Sequence, residues 1–114
     1  MTIKTILFLG PDLYRETRGG YIYILTNYTN RVLYIGVTST LYYRIMEHKE
    51  KKYPNSFSAK YKCDKLVYYE FFTSIEEAIM REKRLKKWNR QWKIELIENL
   101  NPEWKDLIDM VIEL

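Results

Sequence analysis

Five polar side chains stand out for the chemistry they could do together: Tyr23, Tyr34, Arg44, His48 and Glu82. Two phenols, a guanidinium, an imidazole and a carboxylate suit phosphate chemistry. An arginine grips phosphate oxygens through a planar fork and neutralises charge that builds in the transition state. A tyrosine can position a nucleophilic water, although a pKa of about 10 makes it a poor base without a cation or metal nearby. One carboxylate cannot cage a metal, but Mg²⁺ commonly accepts one or two carboxylates plus substrate phosphate and water. A metal held that way can stabilise a leaving oxygen as a Lewis acid.

The tyrosines sit in two short β-branched and aromatic runs, Tyr21–Thr26 and Val32–Val37, around Asn27-Tyr28-Thr29-Asn30. A four-residue loop there predicts a hairpin with Thr26 opposite Arg31. Counting outward, Ile24 faces Leu33, Tyr23 faces Tyr34 and Ile22 faces Ile35. Alternation then places the aliphatic pairs on one face and both tyrosines on the other. Such a tyrosine pair is also ordinary cross-strand packing.

Thr38-Ser39-Thr40 can cap a helix running to about Lys52, with Leu41 and Ile45 facing inward. Arg44 and His48 stand four apart on its adjoining flank, a spacing equally natural for surface residues. Lys65 to Phe72 reads as a third strand, and Ser74 with Glu77 as a capping box opening a helix to about Trp88. The apolar stripe of that helix is Ile75, Ala78, Ile79 and Leu85, and Glu82 falls on it. An unpaired carboxylate there would be costly or would change its pKa. Either Glu82 pairs with a cation at the stripe's edge, or it has chemical work to do. A further helix is expected over about Arg90 to Asn99, then a last one capped by Asn101 with Pro102 at its first position. The sum is an α/β (α+β) fold, a small three-stranded antiparallel sheet flanked by helices. Residues 1–19 read as an extension of uncertain structure, and residues 20–114 as a single domain with a C-terminal helix.

Composition narrows the function. The 114 residues are 46% hydrophobic and 30% charged, and 18 aromatics supply a small but adequate core. Cys63 is alone, which excludes a disulfide framework, a disulfide-linked partner and a thiolate-rich zinc site, and favours a reducing, cytoplasmic location. His48 is the single histidine, so sites needing two are excluded. No apolar run approaches the roughly 20 residues of a membrane span, and no membrane partner is expected. Ile6-Leu7-Phe8-Leu9 is too short for a signal-peptide core. The formal charge of +4 conceals an asymmetry: residues 1–93 hold 18 Lys and Arg against 9 acids, whereas residues 94–114 hold Lys105 against six. Arg81 to Lys93 carries seven basic residues and one acid, Glu82. That distribution suits a basic nucleic-acid-binding face.

In these residues the chain resembles the GIY-YIG nuclease domain, and among its members the small stand-alone bacterial ones. Tyr21-Ile22-Tyr23 stands at the first signature triplet, with tyrosine in place of glycine, and Tyr34-Ile35-Gly36 reproduces the second. Ten residues separate the triplets, Arg44 follows Tyr34 by ten, and Glu82 lies where the family's helix bears its metal-binding glutamate. The resemblance implies hydrolysis of a DNA phosphodiester with Mg²⁺ or Mn²⁺, in repair or recombination, with branched or single-stranded DNA among the candidate substrates. Under it, Tyr23 orients or deprotonates water, Tyr34 supports the same water or phosphate, Arg44 stabilises developing charge, His48 assists proton transfer and Glu82 binds metal. Lys86, Thr38 and Asn27 are secondary candidates for contacting nucleic acid. Trp88, Trp92 and Trp104 are better placed for core packing than for base stacking. The alternative is a nucleic-acid-binding or partner-docking module with little nuclease activity.

Overall fold

The computed structural model describes residues 19–112, so the expected N-terminal extension lies, but for Gly19, outside the described residues. Three antiparallel strands form the centre: β1 (Gly20–Thr26), β2 (Leu33–Thr38) and β3 (Lys65–Phe72), ordered β2-β1-β3. Four helices accompany them: α1 (Leu41–Lys49), α2 (Phe57–Lys60), α3 (Ile75–Lys87) and α4 (Arg90–Leu100). The fold is α+β, as expected. No helix among the described residues is long and apolar enough to cross a membrane.

Strand alternation divides the core in two. Ile22 and Ile24 point to one face and join Ile35, Ala78, Leu85 and Ile97 beneath α3 and α4. Tyr23 and Leu25 point to the other face and join Leu41, Ile45 and Leu66 beneath α1. Burying one such aliphatic side chain is worth about 2 kcal/mol. A bulge in β3 opposite Ile24/Leu25 turns both Val67 and Tyr68 toward the α3 face.

The hairpin register differs from the expected one by two residues. Tyr23 stands opposite Gly36, Ile24 opposite Ile35, and Leu25 opposite Tyr34. The cause is the loop. Asn27 Oδ1 accepts from the backbone N–H groups of Arg31 (3.0 Å) and Val32 (3.1 Å), while Asn27 O accepts from Asn30 N. Asn30 takes the left-handed conformation, φ 62°, that closes this turn. Arg31 and Val32 are thereby drawn into the loop, and pairing starts at Leu33. A slip of two residues keeps every side chain on its face, so the tyrosines still share one.

Ser74 caps α3 by accepting from Glu77 N, and Asn89 caps α4 by accepting from Trp92 N. Helix α1 ends at Lys49, short of the expected Lys52, and Lys51 beyond it is left-handed. The expected C-terminal helix is not formed among the described residues, which after α4 hold only a short 3₁₀ turn, Ile108–Met110. Asn101 terminates α4 instead of capping a new helix. Its buried amide donates to Val67 O (3.2 Å) and Lys105 O (2.8 Å) and accepts from Lys105 N (3.0 Å). That tertiary use of the side chain, with Asp106 Oδ1 accepting from Leu66 N, ties the tail to β3. Local capping geometry loses to it.

Candidate active site

Tyr23 is the pivot. It is 1% exposed, and its ring lies across the strand partner Gly36. A Cβ at Gly36 would sit 2.4 Å from the Tyr23 ring and hydroxyl, so only glycine leaves the phenol its place. The second triplet therefore ends in glycine to accommodate the tyrosine of the first.

The Tyr23 hydroxyl meets His48 Nε2 at 2.9 Å, and the Arg44 guanidinium and Tyr34 bear on the same oxygen. One turn of α1 explains the pairing: Leu41 and Ile45 anchor the helix in the core and carry Arg44 and His48 onto Tyr23. His48 is therefore buried, not on the surface. Its Nδ1 lies 2.8 Å from Ser58 Oγ on α2, a contact nothing in the sequence signalled because that short helix reads as loop.

Burial pushes the Tyr23 hydroxyl well above its ordinary value of 10, and neighbouring Tyr34 adds to this; Arg44 opposes it without prevailing. Tyr23 is a phenol at neutral pH. Burial also pulls His48 down to about 4, helped by the Arg44 charge and opposed by Glu47. His48 is thus a neutral imidazole at pH 7. Arg44 donates to Glu47 at 2.9 Å, which steadies its guanidinium beside Tyr23.

Tyr34 lies on β2, the edge strand of the sheet among the described residues. Its ring meets His48 edge-on at 5.3 Å and stacks on Phe57 at 6.2 Å. Here a cavity of ≈ 270 Å³ opens, lined by Leu33, Tyr34, Ile35, Phe57, Lys86 and Lys93. Glu82 belongs to α3, on the opposite face of the sheet from α1. Its side chain is 14% exposed and pairs with Lys86 at 2.8 Å. The edge of β2 is where the two faces meet: Tyr34 reaches the cavity from one and Lys86 from the other. Tyr23, Tyr34, Arg44 and His48 are in direct company; Glu82 stands apart from them on the other face, its partner Lys86 sharing the cavity with Tyr34.

Among the described residues no group of three or more His, Cys, Asp or Glu could hold a metal ion. Glu82 supplies one largely buried carboxylate, ion-paired with the cavity residue Lys86. That donor set fits a hydrated Mg²⁺ or Mn²⁺ whose remaining ligands are water and substrate phosphate.

Two secondary candidates are occupied elsewhere. Asn27 organises the hairpin loop as described, and Thr38 Oγ1 accepts from Thr40 N at 3.1 Å to lead into α1. They lie at opposite ends of the β1–β2 hairpin, and neither borders the cavity. Lys93, not singled out from the sequence, does. Trp88 and Trp104 pack against the α3-side core as expected, whereas Trp92 is exposed and meets Trp88 edge-on.

The model of the GIY-YIG catalytic domain matches residues 19–95, which contain Tyr23, Tyr34, Arg44, His48, Ser58, Glu82, Lys86 and Lys93. The chain belongs to the GIY-YIG family. It is similar to a UPF0213 protein of Syntrophus aciditrophicus, 35% identical over 83 residues covering 73% of this chain and 93% of the relative. A Clostridium perfringens UPF0213 protein is 40% identical over 83 residues, 69% of this chain and 83% of the relative. The solved solution structure of a Bacillus halodurans UPF0213 protein matches with a TM-score of 0.50 and 26% identity, over 77% of this chain and 92% of that one. In this GIY-YIG domain Tyr21 replaces the first glycine without disturbing β1: its ring is half-buried and leans on Phe71 at 5.1 Å. The glycines the packing needs near there are Gly19 and Gly20, where a Cβ would meet Phe72 O at 2.5 Å and Ile75 Cδ1 of α3 at 2.6 Å.

Proposed function

We propose that this protein is a metal-dependent endonuclease that hydrolyses DNA phosphodiester bonds. The observation that carries the reading is the buried Tyr23–His48 hydrogen bond at 2.9 Å under the Arg44 guanidinium, with Tyr34 packed between it and an edge cavity bearing two lysines. A phosphodiester seated in that cavity places its charge against Lys86 and Lys93, with Tyr34 leading from there toward Tyr23, His48 and Arg44. Arg44 is the fork for the charge that grows on phosphorus-bound oxygens during attack. Tyr23 cannot act as a resting phenolate, so it works as a relay. It accepts a proton from the attacking water while its own proton passes to neutral His48 Nε2. The water oxygen forms a new bond to phosphorus, the bond to the leaving sugar oxygen breaks, and that oxygen takes a proton from solvent. Glu82 would hold a divalent ion at the cavity, which when bound supplies Lewis-acid stabilisation of the leaving oxygen. The role we propose for this protein is in DNA repair or recombination, on branched or single-stranded DNA in the cytoplasm.

The test is cleavage of single-stranded, duplex and branched DNA with Mg²⁺ or Mn²⁺. Wild type cuts, and Arg44→Ala and Glu82→Ala lose at least about 100-fold in rate. Cutting that persists in both variants overturns the reading. Salt-sensitive binding without cutting in either metal assigns a nucleic-acid-binding module instead.

A further inference from the structure

We infer that Ser58 is a positioning residue that selects the Nδ1–H tautomer of His48, aiming the Nε2 lone pair at the Tyr23 hydroxyl; this deepens the nuclease reading and rests on it. Four side chains form one line: Tyr23 Oη to His48 Nε2 (2.9 Å), His48 Nδ1 to Ser58 Oγ (2.8 Å), and Ser58 Oγ to Ser56 Oγ (3.4 Å). Ser58 and His48 are 4% and 6% exposed, so water does not readily substitute for either partner.

A neutral imidazole offers one N–H and one lone pair, so the line runs in one of two directions. In one, Tyr23 donates to Nε2, Nδ1 donates to Ser58, and Ser58 donates to Ser56. In the other, every bond is reversed. Two features select the first. At one end, Arg44 can only donate and its charge bears on both Tyr23 and His48. An Nε2–H would turn the positive end of the imidazole toward that guanidinium and compete with it for the Tyr23 oxygen. At the other end, the Ser58 proton has an acceptor in Ser56 Oγ, which is held in place as the cap of α2 by Ala59 N–H at 3.3 Å. Ser58 itself is pinned by Cys63 N–H donating to its carbonyl at 2.8 Å. The short helix α2 thus presents a fixed acceptor to Nδ1–H. When the Tyr23 proton moves to Nε2, the resulting imidazolium keeps its Nδ1–H on Ser58, and no further proton has to move.

His48 is the only histidine, so its two ring nitrogens can be read without ambiguity in the full chain. Long-range ¹H–¹⁵N correlation at pH 7, without DNA or metal, is expected to show Nδ1 protonated and Nε2 bare. Ser58→Ala shifts the tautomer toward Nε2–H with the amide spectrum otherwise preserved, and lowers the cleavage kcat about 10- to 100-fold with little change in KM. Ser58→Thr keeps both the Nδ1–H signature and the rate. Nε2–H in the wild type overturns the inference, as does an unchanged tautomer in Ser58→Ala. Should Ser58→Ala fail to fold, the wild-type tautomer decides alone. Nδ1–H in a protein that cuts no DNA sinks the nuclease reading while leaving this positioning role intact.

Discussion

Replacing Gly36 by alanine tests whether the two triplets are coupled through a single contact. The added Cβ would lie 2.4 Å from Cζ and the hydroxyl oxygen of Tyr23. Ordinary carbon contact begins near ~3.4 Å, so the phenol must retreat by about 1 Å. Tyr23 is fully packed and cannot swing into solvent. Overpacking of this kind costs about 1–3 kcal/mol, and weakening the Tyr23–His48 hydrogen bond adds to it. At about 2 kcal/mol, the Tm of a domain this size falls by about 10 °C. A displacement of about 1 Å at a proton relay costs about 100-fold in rate. Thermal unfolding and single-turnover cleavage read these two effects, and the pKa of His48 by NMR reads a third: loosening lets water in and moves it up from about 4 toward 6.5. An alanine variant with wild-type Tm and an unmoved His48 would refute the claim that Gly36 exists to seat Tyr23.

Further outcomes are expected. Because the folded-state pKa of His48 is lowered from 6.5 to about 4, the unfolded chain binds more protons between those values. Stability is therefore full above about pH 6.5 and falls by about 3 kcal/mol as pH drops to 4, and His48→Gln flattens that dependence in chemical denaturation. The acid limb of the cleavage rate follows the same group and falls near pH 4; a midpoint near 6.5 contradicts a buried His48 acceptor. Arg44→Lys keeps the charge but loses the fork, lowering kcat about 100-fold; the Tm moves little because the Arg44–Glu47 pair is partly solvated. Asn101→Asp turns two donated hydrogen bonds into a carboxylate facing the carbonyls of Val67 and Lys105, costing about 3 kcal/mol in urea denaturation. An Asp variant as stable as wild type would remove Asn101 as the clamp on the tail.

Much of the frame follows from local rules. β3 spans the residues its aromatic run indicates, and α3 starts at the Ser74 cap because capping depends on a few adjacent atoms. Two-residue periodicity keeps both tyrosines on one face through the two-residue shift, whereas a shift of one would have parted them. Register itself was not legible, since it turns on how Asn27 and Asn30 fold the loop. Nor was the end of the chain: Asn101-Pro102 has the form of a helix start, but the Asn101 amide is claimed by carbonyls on β3 and the tail.

At the site, the sequence by itself determined which groups are present: two phenols, one guanidinium, one imidazole and a carboxylate on an apolar stripe, at the spacing of the GIY-YIG family. Tertiary structure alone decided their states and company. It buried His48 between Tyr23 and Ser58, paired Glu82 with Lys86 across the sheet edge from the tyrosines, and opened the cavity between Phe57 and the two lysines. The physical reason is that residue type and spacing are properties of one chain segment. Protonation state depends on desolvation and on charges from segments tens of residues away, which meet only when both faces of the sheet are covered.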